Sequence, residues 1–190
     1  ALCPRCALPT PSGEVCGVCL KHAPHFDQTR AALRYEFPVA ELLHAYKYRS
    51  QVGLARAFTG MLSQSLPQNF AAIDTLLPLP VTRARMRERG FNQAAELAKL
   101  LGQQLNLPVD LRSLRKIRET RPQMELPWDQ RRANVRGAFA CDAVIAGKCV
   151  ALIDDVMTTG ASVDAASRAL KQAGAKTVVV WVLARALRRL

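Results

Sequence analysis

Residues 150–162, VALIDDVMTTGAS, lead from an apolar run through two adjacent aspartates into a Thr-Thr-Gly turn. Where a strand leads into a helix, such a turn aims backbone amides at one anion at the positive end of the helix. Gly160 allows a close backbone approach, and the hydroxyls of Thr158, Thr159 and Ser162 add further donors. The segment from Thr158 to Ser162 therefore predicts a phosphate site.

Asp154 and Asp155 require a different partner from the turn that follows them. Carboxylates repel a phosphate, so their partners must be neutral hydroxyls, as on a ribose, or a divalent cation. A ribose 5-phosphate unit satisfies both halves of this site, with its phosphate in the turn and its 2- and 3-hydroxyls on the aspartates. The alternative is structural, because strand-end carboxylates also cap the loops that follow them.

Four of the six cysteines lie in the first nineteen residues, as CPRC and CGVC. Two such pairs suit a tetrahedral Zn(II) site, since each two-residue gap aims two thiolates at one metal. The candidate ligands are Cys3, Cys6, Cys16 and Cys19. We expect this zinc to be structural, because the segment is too short to order itself and all four positions are filled by thiolates. The alternatives are two disulfides, an iron–sulfur cluster, or a site in which His22 or His25 replaces a cysteine.

The rest of the chain alternates apolar runs with helical patterns. Strands are predicted at 29–37, 72–79, 108–114, 148–154 and 176–184, and helices at 39–48, 52–66, 92–105 and 161–174. Asn92 is placed to cap one of these helices, and about 115–140 reads as a long irregular loop. Strand, helix and strand in succession form a parallel crossover, and strands that are apolar throughout need helices on both faces of their sheet. The predicted fold is therefore α/β, with ligands at the carboxyl ends of the strands.

The composition favours a polyanionic partner. The chain has 27 Lys and Arg against 15 Asp and Glu, and a basic surface with a net charge of +12 attracts nucleic acid, phosphate-bearing ligands or anionic membranes. A merely solvated basic surface is the alternative. No apolar run approaches the ~20 residues that span a bilayer. Because no basic stretch followed by an apolar one opens the sequence, we expect a cytoplasmic protein.

The apolar strand, acidic pair and Thr-Gly turn of VALIDDVMTTGAS resemble the binding motif of the type I phosphoribosyltransferases. The resemblance implies that Asp154 and Asp155 bind the ribose hydroxyls of phosphoribosyl pyrophosphate (PRPP), with Mg(II) accompanying the pyrophosphate. The residues that would surround the 5-phosphate are Met157, Thr158, Thr159, Gly160, Ala161 and Ser162.

Three further segments narrow the resemblance to the ComF family. They are LLPLPVTRARMRERGFNQAAELAKLL at 76–101, RETRPQMELPWDQRRANVRGAF at 118–139 and VLAR at 182–185, so that the likeness extends over nearly the whole chain. RGFNQA at 89–94 is specific to this family. The resemblance implies a zinc-ribbon-like four-cysteine module at 1–26 and a phosphoribosyltransferase-like domain at 27–190. It also implies a role in handling single-stranded DNA in natural transformation, with a protein partner in the DNA-uptake machinery.

By the same resemblance, two groups of basic and polar residues surround the ligand. Arg85, Arg89 and Gly90 would lie in a loop that meets the pyrophosphate. Arg121, Gln123 and Arg131 would lie in a mobile loop over the site. A solvated basic loop is the alternative for the first group.

Three functions from different classes remain open on the sequence. The first is a PRPP-binding protein that handles single-stranded DNA, and the second is an active phosphoribosyltransferase acting on an unidentified base or amine. Neither an acceptor pocket nor a general base is identified, although Glu119 and Glu125 lie in the presumed mobile loop. The third is a structural adaptor with a vestigial site, against which the intact aspartates and Gly160 argue.

Overall fold

The computed structural model describes residues 1–48, 53–66, 73–120, 126–127 and 130–187. Its strands, in chain order, are β1 (Gln28–Arg34), β2 (Thr75–Pro78), β3 (Leu114–Lys116), β4 (Phe139–Cys141), β5 (Cys149–Met157) and β6 (Thr177–Arg185). Its helices are α1 (Gly17–Lys21), α2 (Val39–Tyr48), α3 (Gly53–Ser65), α4 (Arg83–Arg89), α5 (Gln93–Leu105), α6 (Gln130–Val135) and α7 (Ala161–Gln172). A short 3₁₀ turn lies at Ala143–Ile145.

The central sheet has the strand order β1-β6-β5-β2, and each neighbouring pair is parallel. Side chains alternate between its faces, so Leu152 packs in one hydrophobic cluster with α7 while Ile153 packs in another with α2, α3 and α5. Helices therefore cover both faces, and the predicted α/β fold with a parallel sheet is confirmed. β3 and β4 form a separate antiparallel pair.

The helix predicted at 92–105 forms as α5, and its cap is the predicted one. Asn92 Oδ1 accepts a hydrogen bond from Ala94 N at 3.0 Å, which satisfies one amide of the first turn. Leu97 and Leu101 are fully buried against the sheet, and each such side chain contributes about 1.5–3 kcal/mol through burial. Asn92 Nδ2 also donates to Leu79 O at 3.1 Å, which ties the helix start to the end of β2.

The strand predicted at 108–114 is wrong. Only Val109 pairs there, in a single parallel bridge with Leu76, and β3 begins at Leu114. The reason is Asp110, whose Oδ1 accepts hydrogen bonds from the backbone amides of Arg112 and Ser113 at 2.9 and 3.0 Å. This local turn competes with strand pairing.

Two segments expected to be loops contain regular structure. The irregular stretch expected at 115–140 includes the end of β3, helix α6 and the start of β4 in its described residues. The basic segment around Arg85 and Arg89 is helix α4, which begins after Thr82, whose hydroxyl accepts from Arg85 N at 3.3 Å. It ends at Gly90, with a left-handed φ of 77°. The pairing of Leu114 with Cys141 explains why β3 and β4 form in the first segment. The Thr82 cap explains why the second segment is a helix.

The cysteine-bearing N-terminal segment packs against the body. Cys3, Cys6 and Cys19 are buried in the same hydrophobic cluster as Met157 and Val163. Thr29 N on β1 donates to Pro4 O at 3.2 Å. Over the described residues, none of the helices is both long and apolar enough to cross a bilayer.

Candidate functional site

A cavity of about 420 Å³ opens at the carboxyl ends of β2 and β5. It brings together most of the residues that the sequence predicted for the ligand, namely Arg85, Arg89, Arg131, Asp154, Asp155, Met157, Thr158, Thr159, Gly160, Ala161 and Ser162. Gly90 does not line it but ends α4 beside it. Arg121 and Gln123 lie outside the described residues.

The turn between β5 and α7 has the geometry of an anion site. Gly160 has a left-handed φ of 82°, which disfavours any residue with a side chain there, and the nearest atom to a Cβ would be the movable Met157 Cε at 2.8 Å. Helix α7 starts at Ala161, which places its positive end at the cavity. Thr159 Oγ1 accepts from Ala161 N at 3.1 Å, so this amide is engaged within the turn. The hydroxyl hydrogen of Thr159 is then left to donate into the cavity.

Asp154 and Asp155 line the same cavity as this turn and differ in their surroundings. Asp155 Oδ2 lies 2.8 Å from Lys47 Nζ, and its Oδ1 accepts from Val156 N at 2.7 Å. Burial opposes the charge on Asp155, but the Lys47 ammonium outweighs it and holds the pKa of Asp155 below its usual value. Burial and the adjacent Asp155 carboxylate raise the pKa of Asp154 well above its usual value. One carboxylate is therefore ionised at neutral pH, while its neighbour resists ionisation.

Cations line the wall of the cavity around the turn. Arg131 Nη1 donates to Thr158 Oγ1 at 3.5 Å, from helix α6. Lys116 donates to Thr120 Oγ1 at 2.8 Å and lies 5.6 Å from the centre of the Phe139 ring. Burial, and then the nearby Arg85 guanidinium, lower the pKa of Lys116. This concentration of positive charge suits a ligand with several phosphate charges.

Lys47, Gln93 and Lys116 line the cavity but were not predicted as ligand residues from the sequence. Lys47 occupies the buried face of α2, four residues after Leu43, and a lysine on an apolar face was a signal that could have found it. Gln93 is buried in the first turn of α5, and its Nε2 makes no hydrogen bond to any described residue. Lys116 carried no signal, because its place depends on the pairing of β3 with β4.

The four N-terminal cysteines form a candidate metal centre. Their Sγ atoms all lie within 4.8 Å of one another, and Cys6 Sγ lies 3.5 Å from Cys16 Sγ. A tetrahedral zinc with bonds of ~2.3 Å separates its sulfurs by about 3.8 Å, so the donor set fits Zn(II). All four thiols are free rather than disulfide-bonded. Among the described residues no histidine joins this group, and His25 instead contacts Asp164.

Curated relatives match the chain along nearly all of its length. The chain is 31% identical over 192 residues to the DNA utilization protein YhgH of Escherichia coli O157:H7. This match covers 98% of this chain and 85% of that protein. The chain belongs to the ComF family. This ComF chain is also 30% identical to competence protein F of Haemophilus influenzae, and the match covers 90% of this chain and 78% of that protein. It is 27% identical to competence protein ComFC of Bacillus subtilis, with 91% and 72% covered.

No protein-family model matches this ComF chain. Solved structures that it resembles include the glutamine PRPP amidotransferase from B. subtilis, with a TM-score of 0.46 and 22% identity over 67% of this chain and 25% of the other. A purine phosphoribosyltransferase from Pyrococcus horikoshii has a TM-score of 0.37 and 19% identity over 71% and 72% of the two chains.

Proposed function

We propose that this ComF protein binds PRPP, with Mg(II) on the pyrophosphate, and handles single-stranded DNA during DNA uptake. The observation that carries the proposal is one cavity that is lined both by the glycine turn at the start of α7 and by an acidic pair. The turn, from Thr158 to Ser162, takes the 5-phosphate, and Asp154 and Asp155 take the ribose hydroxyls. We also propose that the chain consists of a four-cysteine module at residues 1–26 and a phosphoribosyltransferase-like domain at residues 27–190.

Charge complementarity supports PRPP over a simple sugar phosphate. Arg85, Arg89 and Lys116 line the same cavity as the acidic pair, and they offer guanidinium and ammonium donors to a pyrophosphate. Arg131 lies beside the turn and would close the phosphate end. Mg(II) bound to the pyrophosphate would neutralise part of its charge. Arg121 and Gln123 remain proposed members of the cover over this ligand.

The role in DNA handling is supported by the surface charge and by the names of the relatives. Exposed arginines lie on three elements, namely Arg83 and Arg87 on α4, Arg115 on β3 and Arg132 on α6, with Arg136 just after it. Such a surface binds a phosphate backbone without reading sequence. The relatives are named for DNA utilization and competence. We further propose a cytoplasmic site of action and a protein partner in the uptake machinery.

An active phosphoribosyltransferase is the second candidate, and the cations of the cavity favour it. Arg85 and Lys116 would stabilise pyrophosphate as a leaving group. A general base is harder to assign. Glu119 is exposed, and Glu125 lies outside the described residues. In the described part of the chain the acidic residues that line the cavity are Asp154 and Asp155, which the proposal already assigns to the ribose. Release of pyrophosphate on adding candidate bases or amines would identify an acceptor.

The test is titration calorimetry with matched ligands. Ribose 5-phosphate and PRPP with Mg(II) are compared with 2-deoxyribose 5-phosphate and inorganic phosphate. The deoxy sugar should bind more weakly, because a buried acceptor without its hydroxyl costs about 1–3 kcal/mol. Equal affinity for the two sugars would remove the aspartates from the ligand site, and no binding by any of the four would remove the site altogether.

The DNA part of the proposal has its own measurement. The PRPP titration is repeated with a short single-stranded oligonucleotide already bound. A changed PRPP affinity supports a protein in which ligand and DNA are coupled. An unchanged affinity together with turnover of an acceptor would favour the transferase.

A further inference from the structure

Arg185, the last residue of β6, is buried beneath the phosphate turn, with 3% of its surface exposed. Its guanidinium group donates to four backbone carbonyls. Nη1 donates to Met157 O at 2.8 Å, to Thr158 O, and to Ala186 O at 2.7 Å. Nε donates to Cys6 O at 2.8 Å. One side chain thus joins the turn that follows β5 to the four-cysteine module.

The register of the sheet explains why Arg185 reaches both places. Met157 and Arg185 are paired neighbours at the carboxyl ends of β5 and β6. Cys6 packs in the same hydrophobic cluster as Met157, so the first cysteine pair lies directly against this end of the sheet. The guanidinium fills the space between them, where its planar donors match carbonyls on two sides.

A second contact joins the same two parts of the molecule. Asp164, in the first turn of α7, accepts hydrogen bonds at Oδ1 from His25 N at 2.7 Å and shares a contact of 3.1 Å with His25 Nδ1. Asp164 N in turn donates to Gly160 O at 2.9 Å. The segment after the cysteine module therefore holds the helix whose start forms the phosphate turn.

We propose that Arg185 is a positioning residue that couples metal loading of the four-cysteine module to the shape of the phosphate turn. The inference rests on the proposed function of the turn. With zinc bound, Cys6 would be held in place, and its carbonyl would hold the Arg185 guanidinium. The guanidinium would then hold the carbonyls of Met157 and Thr158 so that the amides after them face the ligand. A protein without zinc would keep its sheet and bind a 5-phosphate more weakly.

The physical reason is that a buried guanidinium depends on its carbonyl partners. Once the module loses its metal, its carbonyls are no longer held in place, because so short a segment has no core of its own. A buried charge that loses a hydrogen bond pulls on the ones that remain or draws in water. The remaining partners of Arg185 are the carbonyls of Met157 and Thr158, at the start of the phosphate turn, and the neighbouring Ala186 carbonyl.

Linkage makes the coupling measurable from both sides. If zinc tightens ligand binding by some factor, the ligand must tighten zinc binding by the same factor. We expect a factor on the order of ten, within the usual range of such couplings. The ligand is ribose 5-phosphate, and the zinc affinity is measured by competition with a chelator, with and without ligand.

A readout that needs no ligand keeps this test separate from the proposed function. Amide hydrogen exchange is followed in zinc-loaded and zinc-stripped protein, at residues 158–162 and, as an internal control, around Leu97 and Leu101 in α5. Faster exchange in the turn with unchanged exchange in α5 supports the coupling, even if no sugar phosphate binds. Unchanged exchange in the turn, or the same acceleration in both places, overturns it.

Two variants assign the coupling to the side chain itself. Arg185→Met keeps an unbranched apolar stem and removes every donor, so the exchange rate of the turn should depend on zinc much less than in wild type, with any remainder carried by the His25–Asp164 contact. Arg185→Lys tests the fork geometry and should restore only part of the dependence. The matched control is Arg168→Met, at an exposed position of α7, which should behave as wild type. If Arg185→Met does not fold, the test rests on Arg185→Lys. An exchange rate of the turn that depends on zinc in this variant as strongly as in wild type overturns the assignment to Arg185.

Discussion

Replacing Lys47 by methionine should destabilise the protein far more than an ordinary surface lysine change. Lys47 Nζ lies 2.8 Å from Asp155 Oδ2, and the side chains are only 19% and 11% exposed. At that distance the attraction is about 6 kcal/mol with an effective dielectric constant of 20, and desolvation of the two charges offsets much of it. Removing one partner of a buried pair costs about 3–5 kcal/mol, because the other charge is left alone. The remaining exposure places this pair near the lower end, at about 3 kcal/mol.

The pH dependence of that loss follows from the two pKa directions. The pKa of Asp155 is lowered in the folded protein, so its stabilising contribution is present above about pH 4 and is lost as pH falls through the folded value. The pKa of Lys47 is raised by Asp155 despite burial, so its contribution holds up to about pH 10 and is lost as pH rises further. In Lys47→Met the buried Asp155 would instead have a raised pKa. The variant should then gain stability as pH falls from neutral, and the gap to wild type should narrow.

The assay is urea unfolding of both proteins at several pH values from about 5 to 8. The control is Lys99→Met, because Lys99 pairs with Glu96 at 2.9 Å on an exposed surface of α5, where such pairs contribute about 0–1 kcal/mol. Equal losses in the two variants would refute the assignment of Lys47 as a buried partner. A gap that stays constant with pH would refute the explanation through Asp155.

Further predictions concern the turn, the metal and the basic surface. Gly160→Ala should lose about 1–2 kcal/mol in urea unfolding because of its left-handed φ of 82°, and should weaken ribose 5-phosphate binding in calorimetry; Gly53→Ala, where nothing crowds a Cβ, is the control. Cys16→Ser should lower zinc content by native mass spectrometry, and a full complement of metal would contradict the four-cysteine site. Arg83→Ala with Arg87→Ala, on the exposed part of α4, should lower affinity for single-stranded DNA and flatten its salt dependence by up to about 1.4 units of slope, and an unaltered slope would place the DNA elsewhere.

The features that could be predicted from the sequence are those formed by residues close together in the chain. The aspartates, the glycine turn and the start of α7 follow one another in the chain, so a strand-to-helix reading brings them to one place. The helices at 39–48, 52–66 and 92–105 were found because their apolar spacing matches the faces they bury. The prediction of a strand at 108–114 was wrong because the hydrogen bonds of Asp110 bend the chain. A pattern of apolar residues does not reveal such a local turn.

The residues that were missed reach the site through tertiary packing. Lys47 belongs to α2, which lies far from β5 along the chain, and it meets Asp155 only because α2 packs on the same face of the sheet as Ile153. Arg185 was noted within VLAR as part of a resemblance, but its contact with Cys6 depends on where the N-terminal module docks. Sequence patterns show that such residues are unusual without showing what they touch.

The acidic pair illustrates how packing separates two residues that look equivalent in the sequence. Successive side chains of a strand point to opposite faces, so Asp155 follows Ile153 toward α2 and meets Lys47, while Asp154 follows Leu152. Because Asp155 keeps its charge, Asp154 beside it is held back from ionising. A ligand hydroxyl can therefore donate to the ionised Asp155, whereas Asp154 gains most from a partner that brings positive charge. In the proposed complex both aspartates take ribose hydroxyls, and Mg(II) on the pyrophosphate or an arginine of the cavity wall would bring the positive charge that favours ionisation of Asp154.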